Sequence, residues 1–400
     1  MISDKIKSVC RYLRRSQYGY RKPELFINLT YSCPLRCKYC YVNYDRNRDF
    51  DLENLCYLFE EGILKTPYIK LITFFGGEPL LKIDLIEEVM KKYYEELCQK
   101  NIHVAVITSL SVNLDKHLKM IEQYPLYETV ISFDNFSEER VYSNQKPFKV
   151  LEHIDLNELQ KFNHNICFHC VLDSEKSLYD LLLLQDNYEK YGLLYSWCWN
   201  KTPTKTFDFK EKYKQVIENI LKSNYKPLQF TRELGAFFNR DSLGCGIGSE
   251  MFISIDGDIS PCSIGHHNNE FLLMKDGIIN QTTPELIEKT EQNNFNNESC
   301  RVCKLKGFCN GGCLFERKKN RGSYDSVNHI LCKIIKELYN VYDELFGSVS
   351  KEERDNLQQV IFDNNAGIID YCFNTRINID MYNTFNLGEN NASLSSRKNL

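Results

Sequence analysis

Residues 30–42 read TYSCPLRCKYCYV and directly follow a short apolar run that is typical of a buried β-strand. This stretch contains Cys33, Cys37 and Cys40. Their spacing would also suit one buried face of a helix, because cysteine is among the most buried residue types. Pro34 and the position at a strand end favour a loop instead. The sequence therefore predicts three thiols on a loop at the carboxyl end of the first strand.

The surrounding chain alternates short β-type runs with amphipathic helical patterns. The β-type runs are 24–30, 68–75, 102–108, 129–134, 165–172 and 193–199. Helical patterns lie near 51–65, 83–100, 113–123 and 176–191. Six units with spacing suited to parallel pairing are fewer than the eight of a full barrel. We therefore expect an α/β fold with an open, partial (β/α)6 barrel and ligands at the carboxyl ends of its strands.

The predicted organisation has five parts. They are an N-terminal arm (1–22), the partial barrel (23–205), a bridging helix (206–242), a cysteine-rich region (243–346) and a C-terminal helix with a disordered tail (347–400). The cysteine-rich region has few periodic apolar runs before 326–346, so metal ligation is expected to hold it together. The arm is basic at Lys5, Lys7, Arg11, Arg14 and Arg15. We interpret these residues as a solvated helix face, with contact to an acidic peptide as the alternative.

Charge and hydropathy exclude several classes of function. A net charge of −4 and a pI near 6.1 produce no field that favours nucleic acid or an anionic membrane surface. No stretch approaches eighteen uninterrupted apolar residues, and no apolar signal segment follows the N-terminus. We expect a cytoplasmic protein. In such a protein clustered cysteines are more often metal ligands than disulfides, and ten of the seventeen cysteines form two groups with short spacings.

The first cysteine group has the chemistry of an iron–sulfur site. Three thiolates can ligate three irons of a four-iron cluster and leave the fourth iron open to a small molecule. The pattern C-x3-C-x2-C, with Tyr39 before the last cysteine, resembles the signature loop of the radical S-adenosylmethionine (SAM) superfamily. The resemblance implies that SAM binds the open iron. It also implies that one electron from the cluster splits the bound SAM into methionine and a 5'-deoxyadenosyl radical.

The end of the second predicted strand carries another motif of that family. Residues 73–81 read TFFGGEPLL and include Gly76, Gly77, Glu78 and Pro79. Alone, this is a turn in which proline opens a helix. It resembles the GGEP motif, which implies that the glycines let the backbone approach the ammonium group of SAM and that Glu78 supplies the opposite charge.

Polar residues at later strand ends complete the expected SAM site. Ser109, which follows Thr108, and the pair Ser132 and Asp134 resemble positions where the family contacts the ribose and methionine groups. Short polar residues end many strands for other reasons, so that alternative stays open. The family often places an arginine on the fifth strand to bind the SAM carboxylate. This chain has His169 there, which either substitutes for the arginine or is an ordinary core histidine.

The second cysteine group is too regular for chance. It consists of Cys245, Cys262, Cys300, Cys303, Cys309, Cys313 and Cys332. A pair of zinc sites is the alternative, although seven thiolates do not complete two four-thiolate sites. The order resembles the SPASM domain, which holds two auxiliary clusters in peptide-modifying radical SAM enzymes.

By this resemblance, auxiliary cluster II is held by Cys300, Cys303, Cys309 and Cys332, and auxiliary cluster I by Cys245, Cys262 and Cys313. The total would be three 4Fe-4S clusters. Fully ligated relatives add an eighth cysteine shortly after the first, where this chain has Met251. Auxiliary cluster I would then be open to substrate, or take His266 or His267.

The favoured interpretation is a maturase that acts on a ribosomally made precursor peptide and forms a thioether or carbon–carbon crosslink. Its electron donor would be of flavodoxin or ferredoxin type. Peptide recognition would lie on the barrel and SPASM surfaces or in a separate leader-binding protein. The alternatives are an anaerobic sulfatase-maturing enzyme, which usually has Asp where this chain has Ser263, a modifier of quinone or mycofactocin type, and a non-catalytic metal-stabilised binding protein. No catalytic residue is assigned.

Overall fold

The computed structural model describes residues 2–15, 24–38, 40, 42, 48–136, 140–200, 203–239, 251–267, 272–280, 282–291, 297–309 and 311–367. Tyr39, Cys245 and the predicted C-terminal tail lie outside these residues. Within them, no helix is long and apolar enough to cross a membrane.

Six parallel strands form the centre of the structure. They are β1 (Glu24–Thr30), β2 (Leu71–Gly76), β3 (His103–Thr108), β4 (Tyr127–Phe133), β5 (Ile166–Leu172) and β6 (Leu194–Trp199). Each pairs in parallel with the next along the chain. The α/β fold with six parallel strands, predicted from the alternating apolar runs, is confirmed.

Helices cover one face of this sheet and continue beyond it. The helices up to the sixth strand are α1 (Asp4–Arg15), α2 (Leu52–Glu61), α3 (Ile83–Gln99), α4 (Leu114–Gln123), α5 (Leu156–Leu159) and α6 (Glu175–Tyr191). Those after it are α7 (Lys210–Lys222), α8 (Leu228–Asn239), α9 (Ser263–His267), α10 (Thr282–Glu291), α11 (Glu298–Arg301), α12 (Leu314–Arg321), α13 (His329–Phe346) and α14 (Lys351–Gly367). Where one bridging helix was expected, the structure has two, α7 and α8.

The predicted N-terminal arm contains a helix that packs into the core. Its apolar stripe, which includes Ile6, Val9 and Leu13, is buried against α2 and its neighbours. The opposite face is basic and exposed, as the sequence predicts, and Lys5 forms an ion pair of 2.5 Å with Asp276. Helix α1 therefore joins the barrel to the cysteine-rich region.

The cysteine-rich region shares the sheet of the barrel, which the sequence did not reveal. Strand β7 (Met251–Ile253) pairs in parallel with β1. Antiparallel strands β8 (Ile259–Ser260), β9 (Met274–Lys275) and β10 (Ile278–Ile279) extend the sheet to ten strands. On the face away from the helices, Phe26 of β1 stacks on Phe252 of β7 at 4.4 Å between ring centroids. Helix α13, which lies in the apolar pattern noted at 326–346, buries apolar residues in the main core.

A buried carboxylate ties β6 to the helices that follow it. Glu233 of α8 is fully buried and accepts hydrogen bonds from Trp199, Tyr213 and Tyr342 at 2.8, 2.6 and 3.0 Å. Gln229 adds a fourth donor at 2.6 Å. Because Tyr342 lies in α13, this one side chain connects the barrel edge to the helix that carries the last cysteine of the second group. Both tryptophans of β6, Trp197 and Trp199, are buried.

Candidate functional site

The first cysteine loop leaves the carboxyl end of β1 and is held by main-chain contacts. The Arg36 amide donates to the Val141 carbonyl oxygen at 2.7 Å, and Leu35 forms an antiparallel bridge with Tyr142. These contacts connect the loop to the chain after β4. The three cysteines in this loop are each partly exposed. They lie at the edge of the sheet where ligands of parallel α/β folds bind.

Burial keeps the Cys33 and Cys37 thiols protonated in the metal-free protein. It raises the pKa of Cys33 to about 12 and that of Cys37 to about 11, and the neighbouring cysteines add to the rise at both positions. The positive charge of Arg140 opposes the rise of the Cys37 pKa. A metal that binds here must therefore displace protons, as thiolate ligation requires.

The two glycines at the end of β2 make room for the start of the cysteine loop. Gly76 has a φ of +137°, and a Cβ on it would lie 2.2 Å from the Thr30 carbonyl oxygen. A Cβ on Gly77 would lie 2.2 Å from the Ser32 carbonyl oxygen. The Gly77 amide donates to the Thr30 carbonyl at 2.7 Å. These glycines therefore allow two segments of the chain's own backbone to approach each other closely, and they would also leave room for a ligand.

Glu78 joins the ends of β2 and β3. One carboxylate oxygen accepts from the Thr108 hydroxyl at 2.6 Å and the Leu80 amide at 3.1 Å, and the other accepts from the Ser109 hydroxyl at 2.6 Å and its amide at 2.9 Å. The side chain is almost fully buried. Pro79 then begins a short 3-10 turn that Glu78 caps. Four donors occupy the carboxylate, so its charge would act on a ligand without a direct hydrogen bond.

A small polar pocket lies at the carboxyl ends of β4 and β5. It has a volume of about 90 Å³ and is lined by Ser132, Phe133, Asp134, Arg140, His169, Val171, Asp173, Ser177 and Asp180. This volume suits a carboxylate or a few waters and is far below that of a complete cofactor pocket. The structure therefore brings Ser132 and Asp134 together in one subsite beside the cysteine loop. Arg140 lies in the same pocket and also approaches that loop.

Arg140 is a site residue that the sequence patterns did not indicate. Its side chain is buried, and Nη1 donates to the Ser132 carbonyl oxygen at 2.6 Å. It lies in the segment after β4, where no family motif draws attention to it. A lone arginine between two acidic residues and an apolar run carries no periodic signal, so only the folded chain reveals its position.

His169 is a poor substitute for a carboxylate-binding arginine. Its Nδ1 lies 2.8 Å from the Ser196 hydroxyl, and burial lowers its pKa to about 4. The ring is therefore neutral near pH 7 and offers no fixed positive charge. Arg140, which is charged at any physiological pH, is the cation of this pocket.

Asp180 holds the loop that follows β4. Its Oδ1 accepts from the Asn135 and Phe136 amides at 2.9 and 3.0 Å. Burial raises the pKa of Asp180 to about 7, the nearby Asp134 adds to this rise, and the two amides oppose it. The side chain fixes the position of Asp134 at the pocket and titrates near neutral pH.

Four cysteines of the second group lie close together between α11 and the start of α13. They are Cys300, Cys303, Cys309 and Cys332. Burial raises the pKa of Cys309 to about 11 and also raises that of Cys332, with contributions from the other thiols of the set.

Of the other three cysteines of the second group, Cys245 and Cys262 precede these four in the chain, and Cys313 lies between Cys309 and Cys332. Cys313 caps α12, and Cys262 directly precedes α9. Cys245 and the side chains of His266 and His267 lie outside the described residues.

Within the part of the chain that the structure describes, no three His, Cys, Asp or Glu side chains are close enough to bind one metal ion. A tetrahedral zinc site needs its thiolates within about 4 Å of one another. A four-iron cluster spaces its thiolates farther apart, because each binds a different iron.

Comparison with known proteins gives consistent results. Residues 27–168 match the family model of the radical SAM superfamily. Over 363 residues the chain is 24% identical to the radical SAM cyclopropyl synthase TigE of Paramaledivibacter caminithermalis, covering 82% of this chain and 75% of TigE.

Two solved structures share the fold. AnSMEcpe with bound AdoMet (SAM) and Cp18Cys peptide has a TM-score of 0.57 and 17% identity, covering 85% of this chain and 99% of that one. SuiB of Streptococcus suis bound to its precursor peptide SuiA has a TM-score of 0.52 and 15% identity, covering 78% and 76%. The solved structures thus share the fold, and residues 27–168, which include the cysteine loop at the end of β1, form a domain of the radical SAM superfamily.

Proposed function

We propose that this enzyme modifies a ribosomally made precursor peptide and forms a carbon–carbon bond in it, with a thioether crosslink as the other possible product. The observation that carries the proposal is the convergence of the first cysteine loop, the GGEP turn and the β4–β5 pocket at one edge of the sheet. Two proteins that share the fold bind peptides, and the relative TigE is named for closing a carbon ring. These likenesses support a peptide substrate and carbon–carbon bond formation.

The residues present fit the cofactors of the family. Cys33, Cys37 and Cys40 offer three partly exposed thiols, which suits a four-iron cluster with one open iron. When bound, the cluster and SAM supply a 5'-deoxyadenosyl radical that removes one hydrogen atom from the substrate. A second hydrogen would leave as a proton and an electron, with an auxiliary cluster as the electron acceptor. An external donor of flavodoxin or ferredoxin type would reduce the first cluster.

The protein side chains would position SAM around that loop. Gly76, Gly77, Glu78 and Pro79 would hold its amino end, with Ser109 fixed by Glu78, and Tyr39 would lie against the cluster. Ser132 and Asp134 would contact the ribose or methionine group. Arg140 would bind the carboxylate, because it is the buried cation of the pocket and lies near Cys37.

The second cysteine group would hold the auxiliary clusters of a SPASM domain. Cys300, Cys303, Cys309 and Cys332 would close auxiliary cluster II. Cys245, Cys262 and Cys313 would hold auxiliary cluster I, whose fourth position stays open or takes His266 or His267. Peptide recognition would use the barrel and SPASM surfaces or a separate leader-binding protein.

Co-expression with short peptides encoded beside the gene tests the substrate and the bond. We expect a product that has lost two hydrogen atoms and whose cysteines still react with iodoacetamide, since a thioether would consume one thiol. A Cys33→Ala variant is the control and should leave the peptide unchanged. Unchanged mass with the wild-type enzyme across these peptides would refute the proposal. A product aldehyde would support the sulfatase-maturing alternative, which Ser263 at the usual Asp position disfavours.

SAM binding tests the role assigned to Arg140. We expect Arg140→Met to weaken SAM binding by about 10–100-fold, because a charged hydrogen bond is lost, while iron content stays unchanged. Arg140→Lys should recover part of the affinity. Lys146→Met, which removes an exposed charge from the same loop, serves as the matched control. Equal SAM affinity in Arg140→Met and the control would exclude this role.

A further inference from the structure

Arg317 is fully buried, although a charged side chain is almost never buried without partners. It lies in α12. Its Nε donates to the Tyr324 carbonyl oxygen at 2.7 Å, and Nη1 donates to the Gly311 carbonyl oxygen at 2.8 Å. Two carbonyls therefore fix the plane of the guanidinium group. Gly311 lies between Cys309 and Cys313 in the chain, so the same contacts anchor that segment.

The guanidinium group lies against the thiols of the four-cysteine set. It is within hydrogen-bonding reach of Cys300, and the charge of Cys309 also acts on it. Burial lowers the pKa of Arg317, and the contact with Cys300 opposes that change. An arginine keeps its proton under all physiological conditions, so the site contains a permanent buried positive charge.

Two other positive charges of the described residues near these thiols face solvent. Lys336 acts on Cys332 but its side chain is exposed, and Arg301 is exposed beside Cys300 in the chain. Water and salt screen exposed charges strongly, whereas a buried charge acts through a medium of low dielectric constant. Arg317 should therefore dominate the local field at the four cysteines.

We propose that Arg317 is a positioning residue that raises the reduction potential of the four-iron cluster held by Cys300, Cys303, Cys309 and Cys332. The inference rests on the cluster assignment made under the proposed function. Reduction adds one negative charge to a cluster that already carries four thiolates, and a buried cation hydrogen-bonded to a ligand sulfur stabilises that added charge. A cluster with this higher potential can accept an electron and keep it. A cluster with a more negative potential would pass the electron back to its donor.

The test is a redox titration of the full-length chain that carries Cys33→Ala, Cys37→Ala and Cys40→Ala, which removes the first cluster site. The protein is reconstituted anaerobically with iron and sulfide, and its reduced clusters are followed by electron paramagnetic resonance. Loss of one signal in an added Cys300→Ala variant identifies the four-cysteine cluster. Arg317→Met, Arg317→Lys and the exposed control Arg301→Met are then compared in this parent protein.

We expect Arg317→Met to lower the reduced-to-oxidised ratio of this cluster about tenfold at a fixed potential, which corresponds to about 59 mV for one electron. Arg317→Lys, which keeps the charge, should stay within about threefold of the parent, and Arg301→Met within about twofold. A fully iron-loaded Arg317→Met with the parent's potential would overturn the proposal.

If Arg317→Met does not assemble the cluster, the reduction potential of Arg317→Lys decides the test. A near-parental potential in that variant supports the charge effect, and a tenfold change contradicts it. A parent protein without iron at these cysteines would overturn the cluster assignment and this inference with it. Iron analysis separates that result from a loaded variant with unchanged potential, which overturns only the role of Arg317.

Discussion

The two cysteine groups differ in the number of thiols and in what lies beside them. The loop of Cys33, Cys37 and Cys40 is held by backbone contacts and glycines, and it opens towards the polar β4–β5 pocket. The set around Cys300 and Cys332 lies on and between α11 and α13 and faces a buried arginine. Three thiols beside a pocket suit a cluster that binds a ligand, whereas four thiols, one for each iron, suit a cluster that only transfers electrons.

Removing one cysteine from each group is the strongest test of this contrast. We expect Cys33→Ala to lower 5'-deoxyadenosine formation by more than about 100-fold, because SAM loses its binding iron. Cys332→Ala should still cleave SAM but form little peptide product. Quantifying 5'-deoxyadenosine and modified peptide in one anaerobic assay separates the two effects. Equal loss of SAM cleavage in both variants would abolish the proposed division of roles.

The dependence of the first loop on backbone contact predicts a large effect at Gly77. A methyl group there would meet the Ser32 carbonyl at 2.2 Å, so Gly77→Ala should lower the free energy of unfolding by about 2–4 kcal/mol and impair assembly of the first cluster. Gly235→Ala in α8 is the matched control, because no atom lies within 4 Å of its added Cβ. That variant should gain about 0.5–1 kcal/mol. Chemical denaturation of both metal-free variants measures the difference.

The second group depends on how α13 is attached to the barrel, and Glu233 tests that attachment. Glu233→Gln keeps one of the two acceptor oxygens, so either the two tyrosine hydroxyls or the Trp199 and Gln229 N–H groups lose their shared acceptor, which should cost about 1–3 kcal/mol of unfolding free energy. Glu344→Gln, at an exposed carboxylate, should change it by less than about 0.5 kcal/mol. Urea denaturation distinguishes them, and equal stabilities would show that Glu233 is not a structural connection.

The pocket beside the first loop should make stability depend on pH. The folded-state pKa of Asp180 is about 7 and lies above the ordinary value, so between about pH 4 and 7 the native state holds a proton that the unfolded state has released. The stability contributed by this group is therefore lost as the pH rises through that window. Asp180→Asn keeps the acceptor oxygen and should be more stable than wild type at pH 8 by about 1–3 kcal/mol, and no more stable at pH 4.

Thermal or chemical unfolding at several pH values measures this difference. Asp186→Asn, at an exposed position of the same helix, is the control and should leave the pH profile unchanged. A parallel profile for Asp180→Asn and wild type would show that this carboxyl does not titrate in the expected range.

Much of the barrel and of the candidate site could be predicted because the relevant signals are local. All six strands of the barrel appear in the sequence as apolar runs, and β1 has the bounds expected for it. The cysteine spacing and the GGEP turn are each contained in a few consecutive residues. The importance of Arg140, Asp180 and Arg317 could not be predicted, because each depends on burial beside residues that are distant in sequence or on another element.

The amino-acid sequence by itself determined the alternating strands and helices, the grouping of the cysteines and the resemblance to the radical SAM superfamily. Only the tertiary structure decided that β7 continues the barrel sheet beside β1, that α1 packs into the core, and which buried cation faces each cysteine group. Periodicity and motif spacing are properties of short segments. Sheet order and the electrostatic surroundings of a site arise from contacts between distant segments, which form only when the chain folds.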